Sequence, residues 1–181
     1  MTIEETSLPG VLVITPRIHR DNRGVFFETY NKRAMTEAGL PDEWAQDNFS
    51  LSTKNVLRGI HYQIHQPQGK LVRVSHGSVL DVAVDIRRSS PTFGKHVAVE
   101  LSGENGKMLW IPEGFGHGFL VLSETAGFAY KVTDYYSAVG ERTIRWDDED
   151  LAIAWPISAA DVVISDKDRD GMTLKQAEVF P

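Results

Sequence analysis

The chain has 181 residues, of which 41% are hydrophobic and 24% charged, with a formal net charge of −6 and no cysteine. These values fit one soluble domain over residues 1–181, exclude disulfides and thiolate metal sites, and argue against general nucleic-acid binding, which needs a basic face. No apolar run reaches the length of a membrane span and the first residues form no cationic or apolar leader, so we expect a cytoplasmic protein without a membrane partner.

Short runs of β-branched and aromatic residues alternate with turn residues along the whole chain. Many short strands separated by turns every 8–12 residues are typical of a sandwich or barrel, so the sequence predicts an all-β fold. In chain order the clearest strand candidates are residues 25–30, 57–63, 71–74, 79–87 and 108–111.

Two short helices are predicted at the periphery of this fold. Asn31 is a good N-cap for a helix through about Ala38, where Gly39 would end it. A second short helix is predicted from about Thr173 to Ala177. The four consecutive acids at 147–150 are predicted to form a solvated loop.

The run 79–87 has the clearest alternation in the chain. Residues 80, 82, 84 and 86 are all apolar and would share one face, whereas Asp81 and Asp85 would share the other. The pattern predicts a strand with one buried face, whose carboxylates point to water or to a polar cavity.

The stretch between Asn48 and Leu80 is a positive island in an acidic chain. It contains four Lys or Arg side chains and three histidines, but no Asp or Glu. A local cationic cleft attracts what the global charge repels, so the island favours a small anionic ligand. The alternative is a strand whose basic side chains are simply solvated.

Two histidines lie among glycines and aromatic residues. The Pro-x-Gly-x-x-His spacing that ends at His117 resembles the second motif of cupin barrels. Metal-binding cupins carry an earlier His-x-His, but here His61 is followed by Gln63, and His65 falls two positions too late. Because Gln is a poor transition-metal ligand, we expect a cupin-like jelly-roll (double-stranded β-helix) barrel without a metal.

Six segments, spread over nearly the whole chain, form a joint pattern. They are Arg23–Glu28, Gln46–Asn48, Arg58–Gln63, Pro112–Phe119, Tyr130–Tyr136 and Ser165–Asp168. Together and in this order they resemble the dTDP-4-dehydrorhamnose 3,5-epimerase family. This resemblance implies a jelly-roll homodimer that works without a cofactor or metal. It also implies inversion of C3 and C5 of dTDP-4-dehydro-6-deoxy-D-glucose on the route to dTDP-L-rhamnose.

The resemblance also implies catalytic roles that suit the residue types. The C4 ketone acidifies the C–H bonds at C3 and C5, so the reaction needs a base, an enolate stabiliser and an acid on the opposite face. His61 would be the base, with Asp168 as its partner and Asp81 as a second candidate for that partner. Lys70 would stabilise the C4 oxyanion, and Tyr130 would donate the second proton.

Ligand-binding residues follow from the same resemblance. Arg23 and Arg58 suit the diphosphate, because guanidinium groups match phosphate oxygens, and Tyr136 would stack on thymine. The other predicted binding residues are Phe26, Glu28, Gln46, Asp47, Asn48, Gln63, Lys70, His117, Glu141 and Lys167.

One pair of these residues conflicts with a regular strand. Arg58 and His61 are three positions apart, so a regular strand would place them on opposite faces. Gly59 lies between them and would permit a bulge or twist. Both side chains reach one cavity only if the strand is irregular there.

Three other functions remain open from the sequence. Relatives in antibiotic-sugar pathways epimerise C3 or C5 alone with the same base and stabiliser. A metal-dependent cupin enzyme built on His61, His65 and His117 is the second, and a non-catalytic module that binds sugar nucleotides is the third. The homodimer is implied by the resemblance, and the run Val11–Ile14 is a candidate for strand exchange between subunits.

Overall fold

The computed structural model describes all residues from Met1 to Pro181. Neither of its two helices is long and apolar enough to cross a membrane. Its strands and helices are β1 (Thr2–Glu5), β2 (Leu12–Thr15), β3 (His19–Asp21), β4 (Gly24–Phe26), α1 (Lys32–Glu37), β5 (Gln46–Thr53), β6 (Leu57–Gln63), β7 (Lys70–His76), β8 (Ser78–Asp85), β9 (His96–Ser102), β10 (Met108–Ile111), β11 (Phe115–Val121), β12 (Thr125–Val132), β13 (Glu141–Thr143) and α2 (Asp166–Arg169).

The strands form two antiparallel sheets and one separate hairpin. One sheet has the order β1-β2-β10-β7-β12-β5, the other has the order β13-β6-β11-β8-β9, and β3 pairs only with β4. From β5 to β8 and from β10 to β13 the chain crosses to the other sheet at every connection, which is the winding of a jelly roll. The predicted all-β, cupin-like jelly-roll fold with short peripheral helices is confirmed.

Three apolar clusters hold these layers together. The first lies between the sheets and includes Val72 and Phe128 from one sheet and Phe119 from the other. A second covers the outer face of the five-stranded sheet with residues of the C-terminal segment, among them Trp155. The third packs Met35 of α1 against the outer face of the six-stranded sheet.

The structure changes the expected environment of β8. The C-terminal segment covers the apolar face of the strand, which includes Val82 and Val84. The opposite face, which carries Asp81 and Asp85, is turned towards the first cluster, and both aspartates are 0% exposed. The prediction that only one face would be buried is therefore wrong. The sequence pattern shows alternation, but it does not show what covers the other face.

The structure confirms one of the local predictions and corrects two others. The helix capped by Asn31 is confirmed, since its side chain accepts a hydrogen bond from the Ala34 amide. The second helix is wrong in place: Thr173–Ala177 makes a single turn, whereas α2 lies at Asp166–Arg169. The first strand candidate, 25–30, is shortened to β4.

One further prediction is corrected by a long-range contact. In the acidic run, Asp148 is 3% exposed, because its carboxylate accepts hydrogen bonds from the amides of Asp150, Leu151 and Leu174. The run Val11–Ile14 contributes to β2, which pairs with β1 and β10 of its own chain. Exchange of this strand between subunits stays a prediction.

Asp85 joins the end of β8 to the following turn, and its removal is expected to destabilise the protein. It accepts hydrogen bonds from Arg87, Ser90 and Thr92. Burial would raise the pKa of Asp85, but these donors lower it to about 2. Asp85→Asn leaves donors unpaired and is expected to reduce the free energy of unfolding by about 2 kcal/mol, a fall in Tm of roughly 4–8 °C.

The pH dependence of this effect has a defined sign. A carboxylate with a lowered pKa stabilises the folded state above its ordinary pKa and loses that contribution as pH falls towards about 2. The stability gap between Asp85→Asn and the parent should therefore be constant near neutral pH and shrink below about pH 4. Thermal unfolding across pH measures it, with Glu124→Gln as the exposed control. A gap that stays constant down to pH 2 would contradict this account.

Candidate active site

A cavity of about 320 Å³ opens between the two sheets and contains most of the predicted site. Its walls come from inward-facing residues of β5, β6, β7, β11 and β12, with the segment after β12 and the start of β13 at its rim. Among the predicted residues, those lining the cavity are Asn48, Arg58, His61, Gln63, Lys70, His117, Tyr130, Tyr136 and Glu141.

An irregularity in β6 brings Arg58 and His61 to the same cavity. The pairing of β6 with β11 shifts register between these two residues. Gly59 lies at the shift with φ of +122°, and a Cβ there would lie 2.5 Å from Gly118 Cα. Only glycine fits so close an approach in this conformation. The expected bulge at Gly59 is therefore present.

His61 forms a hydrogen-bonded pair with the buried carboxylate of Asp168. The distance from His61 Nε2 to Asp168 Oδ1 is 2.5 Å, and the second oxygen accepts a hydrogen bond from the Gly59 amide. Ser165 caps the helix that carries Asp168 and so fixes the carboxylate. Since Nε2–H donates to the carboxylate, Nδ1 is the ring atom left to accept a proton.

The charges of this pair support that orientation. Burial alone would raise the pKa of Asp168, but the interaction with His61, the hydrogen bond from the Gly59 amide and the charge of Lys167 together hold that pKa below its ordinary value. An ionised Asp168 stabilises an imidazolium when His61 takes up a proton. The pair therefore has the geometry of a base with its orienting carboxylate.

Lys70 is a buried cation without a protein partner. It is 7% exposed, lines the cavity and makes no hydrogen bond or ion pair with another side chain. Burial lowers the pKa of Lys70 to about 8, because the charged form is poorly solvated there. An unpaired ammonium in such a site is available to an oxyanion of a ligand.

Tyr130 lies on the sheet opposite His61, on β12. It pairs across strands with Asn48 on one side and Val72 on the other. Burial raises the pKa of Tyr130; nearby Arg58 opposes this effect and Glu141 adds to it. The phenol is therefore protonated at neutral pH and can donate a proton.

Asp81 is the partner of His117 and not of His61. His117 Nε2 and Asp81 Oδ2 are 2.9 Å apart, and both residues are buried. In β11, His117 pairs across strands with His61, so the two histidines are neighbours with separate carboxylates. The prediction that Asp81 orients His61 is wrong. Asp81 is on β8 and His61 is on β6, and β11 lies between these two strands.

A polar network forms the rim of the cavity. Glu141 accepts hydrogen bonds from Lys167 at 2.7 Å and from the Tyr136 hydroxyl at 3.1 Å. Burial would raise the pKa of Glu141, but Lys167 outweighs it and keeps the pKa below its ordinary value. Gln46 donates to Asn48 and accepts from the Tyr136 amide, so it supports the cavity without lining it.

Some predicted residues do not reach this cavity. Asp47 points to the other side of β5, where it pairs with Lys131 at 2.9 Å. Arg23 pairs with Asp21 on the exposed β3–β4 hairpin, whose last residue, Phe26, is 74% exposed. Glu28 follows the hairpin and accepts a hydrogen bond from Asn31.

Only some residues of the positive island line the cavity. Arg58, His61 and Lys70 line the cavity, but Lys54 pairs with Glu124 at the surface and Arg73 lies outside the cavity. Six residues that line the cavity were not predicted from the sequence: Phe49, Ser50, Tyr62, Gln68, Phe119 and Phe128. The strand period was the available signal for Phe128, because it lies two residues before Tyr130.

The metal-dependent alternative required three histidines to converge. The structure contains no group of three or more His, Cys, Asp or Glu side chains placed to hold a metal ion. His65, the third member of that set, is exposed and does not line the cavity. This ligand set is therefore not formed.

Chemically, the cavity combines a base from the five-stranded sheet with a phenol and an ammonium from the six-stranded sheet. Such a set can remove a proton next to a carbonyl, stabilise the enolate and return a proton from another direction.

Comparison with known proteins identifies related chains. A model of the dTDP-4-dehydrorhamnose 3,5-epimerase family matches residues 5–176. The dTDP-4-dehydrorhamnose 3,5-epimerase of Pseudomonas aeruginosa is 52% identical, with 100% of both chains covered. A crystal structure of the dTDP-6-deoxy-D-glucose-3,5-epimerase of Legionella pneumophila in complex with dTDP-4-keto-L-rhamnose has a TM-score of 0.93 and 50% identity, and covers 98% of this chain and 94% of that chain.

A structure with a different specificity is also similar. The 3'-monoepimerase of Streptomyces bikiniensis in complex with dTDP-quinovose has a TM-score of 0.88 and 34% identity, covering 94% of this chain and 86% of that chain. The family match, the full-length identity and the shared fold confirm the resemblance seen in the sequence. The chain belongs to the dTDP-4-dehydrorhamnose 3,5-epimerase family.

Proposed function

We propose that the protein converts dTDP-4-dehydro-6-deoxy-D-glucose to dTDP-4-dehydro-L-rhamnose by inverting C3 and C5, as a cytoplasmic, cofactor-independent step of dTDP-L-rhamnose biosynthesis. The observation that carries this proposal is the placement of His61 on β6 and Tyr130 on β12, which belong to opposite sheets. A sugar ring held between the sheets has one of these groups on each side.

His61 is the base. Its Nε2 is occupied by Asp168 at 2.5 Å, so Nδ1 takes the proton from the carbon next to the C4 ketone. The electron pair of the broken C–H bond moves to the C4 oxygen. Asp168 stabilises the imidazolium that forms and fixes the ring for the transfer.

Lys70 stabilises the intermediate. As the C4 oxygen becomes negative, the buried ammonium supplies a fixed positive charge close to it, with little competition from water. The role is specific to the enolate, because the neutral ketone attracts the ammonium less. Lys70 therefore lowers the barrier more than it strengthens substrate binding.

Tyr130 completes each inversion. Its phenol gives a proton to the face of the carbon opposite His61, the C4 ketone re-forms, and both side chains recover their protonation states by exchange with solvent. The raised pKa of Tyr130 keeps the donor loaded at neutral pH. Repetition at the second carbon gives the doubly inverted product.

Residues around the cavity bind the rest of the substrate. Arg58 and His117 suit the diphosphate and sugar oxygens, and Asn48 offers an amide on the inner face of β5. Tyr136 at the rim is 57% exposed and stacks on thymine. Glu141 and Lys167 close the rim beside it.

The protein is proposed to act as a homodimer. Arg23, Phe26 and Glu28 are assigned to the ligand by family resemblance, yet they lie on or beside an exposed hairpin and not in the cavity of their own chain. A 74% exposed Phe26 is better explained by contact with a second copy. In this arrangement the hairpin of one protomer completes its partner's cavity.

Deuterium incorporation tests the function directly. When the 4-keto sugar nucleotide is incubated with the protein in D₂O, the product is expected to carry deuterium at both C3 and C5 with both centres inverted. NMR of the product reads both positions. Label and inversion at C3 alone would favour the monoepimerase activity of the Streptomyces bikiniensis protein, and tight binding without turnover would favour a non-catalytic module.

A further inference from the structure

Gln63 lines the cavity, but its side-chain amide is already occupied by the protein. Its Nε2 donates to the carbonyls of Gln66 at 2.7 Å and Tyr135 at 3.2 Å, and its Oε1 accepts from the Ser137 amide at 2.7 Å. Gln63 is 4% exposed. Both of its N–H groups are used, so it has no donor left for a ligand.

These hydrogen bonds hold the segment that carries Tyr136. Gln63 binds the residue before Tyr136 and the residue after it, one through a carbonyl and one through an amide. Gln68 holds the same segment one residue earlier, because its Nε2 donates to the Asp134 carbonyl at 2.8 Å. The backbone on both sides of Tyr136 is therefore fixed, while its ring is left 57% exposed.

The Tyr136 side chain is aimed by the same framework. Its hydroxyl donates to Glu141 at 3.1 Å, and its amide donates to Gln46. If the ligand had to order the loop that carries an aromatic ring, the entropy cost of ordering would weaken ligand binding. The hydrogen bonds from Gln63 and Gln68, here called the clamp, avoid this cost, because they order the loop before the ligand binds.

We propose that Gln63 is a positioning residue for nucleotide recognition, which holds Tyr136 in the orientation that stacks on the thymine base. This inference rests on the proposed function, and it replaces the predicted direct contact of Gln63 with substrate. Gln63 acts through Tyr136, so its effect belongs to the nucleotide half of the ligand and not to the proton transfers.

The matched variant is Gln63→Met, which keeps the length of the side chain and removes all three hydrogen bonds. We expect the KM for the sugar nucleotide and the Kd for dTDP to rise about tenfold, the size of effect that a lost base–aromatic stack produces, with kcat within about twofold of the parent. The affinity for pyrophosphate, which lacks the base, should not change. Calorimetry with dTDP and pyrophosphate gives both affinities.

A double variant separates positioning from direct contact. If Gln63 acts through Tyr136, then Tyr136→Ala alone weakens dTDP as much as Tyr136→Ala with Gln63→Met. Losses that multiply in the double variant would overturn the inference, because they would mean independent contacts. Gln176→Met, which removes an exposed glutamine that pairs with Thr173, is the control and should bind dTDP like the parent.

Two further measurements keep the result decisive. Gln68→Met tests the same clamp from its other end, should Gln63→Met fail to fold, and is expected to weaken dTDP but not pyrophosphate; equal dTDP affinity in a folded variant would overturn the clamp. Turnover of the sugar nucleotide by the parent protein is measured alongside these binding affinities. An inactive parent would refute the proposed function, whereas an active parent with unchanged dTDP affinity in Gln63→Met would refute the positioning role alone.

Discussion

His61→Asn is expected to abolish both epimerisation and the exchange of substrate protons with solvent. Asn cannot accept the proton from carbon, so no enolate forms and no deuterium enters the substrate from D₂O. A positioned acid or base contributes about 10²–10⁴-fold, and the fall in kcat should lie in this range or exceed it. The folded state is expected to persist, since His61 is only partly buried and the Asn amide can still donate to Asp168.

Tyr130→Phe separates the two proton transfers. The enolate still forms, because His61 and Lys70 are intact, but no phenol is present to protonate its opposite face. The imidazolium can only return a proton to the face it came from. Epimerisation should fall by about 10²–10⁴-fold, while deuterium enters recovered substrate with unchanged configuration.

Exposed residues of the same types provide the controls for His61→Asn and Tyr130→Phe. His65→Asn and Tyr135→Phe alter a histidine and a tyrosine outside the cavity, and both should turn over substrate like the parent. Loss of exchange in Tyr130→Phe would contradict the separation of roles. Retained exchange in His61→Asn would show that another group is the base.

Lys70→Met is expected to lower kcat by about 10²–10³-fold, which is the effect of removing one fixed oxyanion stabiliser. The pH profile provides the sharper test. Burial lowers the pKa of Lys70 to about 8, so kcat/KM of the parent should fall above about pH 8 as the ammonium is lost. The phenol of Tyr130 stays protonated there, because its pKa is raised. The alkaline fall near pH 8 should therefore be absent in Lys70→Met.

Lys70→Met, which is expected to lower activity, should raise the stability of the folded protein. The pKa of Lys70 is lower in the folded state than in the unfolded chain, so burial of its charge destabilises the fold below about pH 8. Lys70→Met is therefore expected to be more stable than the parent at pH 7, and the difference should shrink between about pH 8 and 10.5. Lys54→Met, an exposed substitution, is the control for both measurements. A parent profile without a fall near pH 8 would contradict the role of Lys70.

The sequence predicts the fold well because its signals are local. Turns that recur at short spacing require short strands, and β6 runs from Leu57 to Gln63 as predicted. The sequence also predicts an irregularity at Gly59, because Arg58 and His61 reach one cavity only if the strand bulges or twists between them. By contrast, the burial of Asp81 depends on the core between the two sheets, and that of Asp148 depends on Leu174 in the C-terminal segment. Both contacts join residues that are distant in sequence, and no local pattern reports them.

The site could be predicted only in part, for the same reason. Resemblance names residues, but the register of strands decides which of them meet. Asp47 and Asn48 are adjacent in the sequence and point to opposite sides of β5, so only Asn48 reaches the cavity. Asp81 lies next to His117, on the side away from His61, because β8 pairs with β11. That pairing cannot be predicted from either segment alone.

The proposed mechanism requires a base and an acid on opposite faces of one sugar ring. A crystal structure of the protein with a bound dTDP-sugar substrate analogue would show both groups beside the ring. We expect His61 Nδ1 to lie within about 3.5 Å of C3 or C5 on one face of the ring and the Tyr130 hydroxyl to lie on the other face. A ring with both groups on the same face, or a sugar bound outside the cavity, would contradict it.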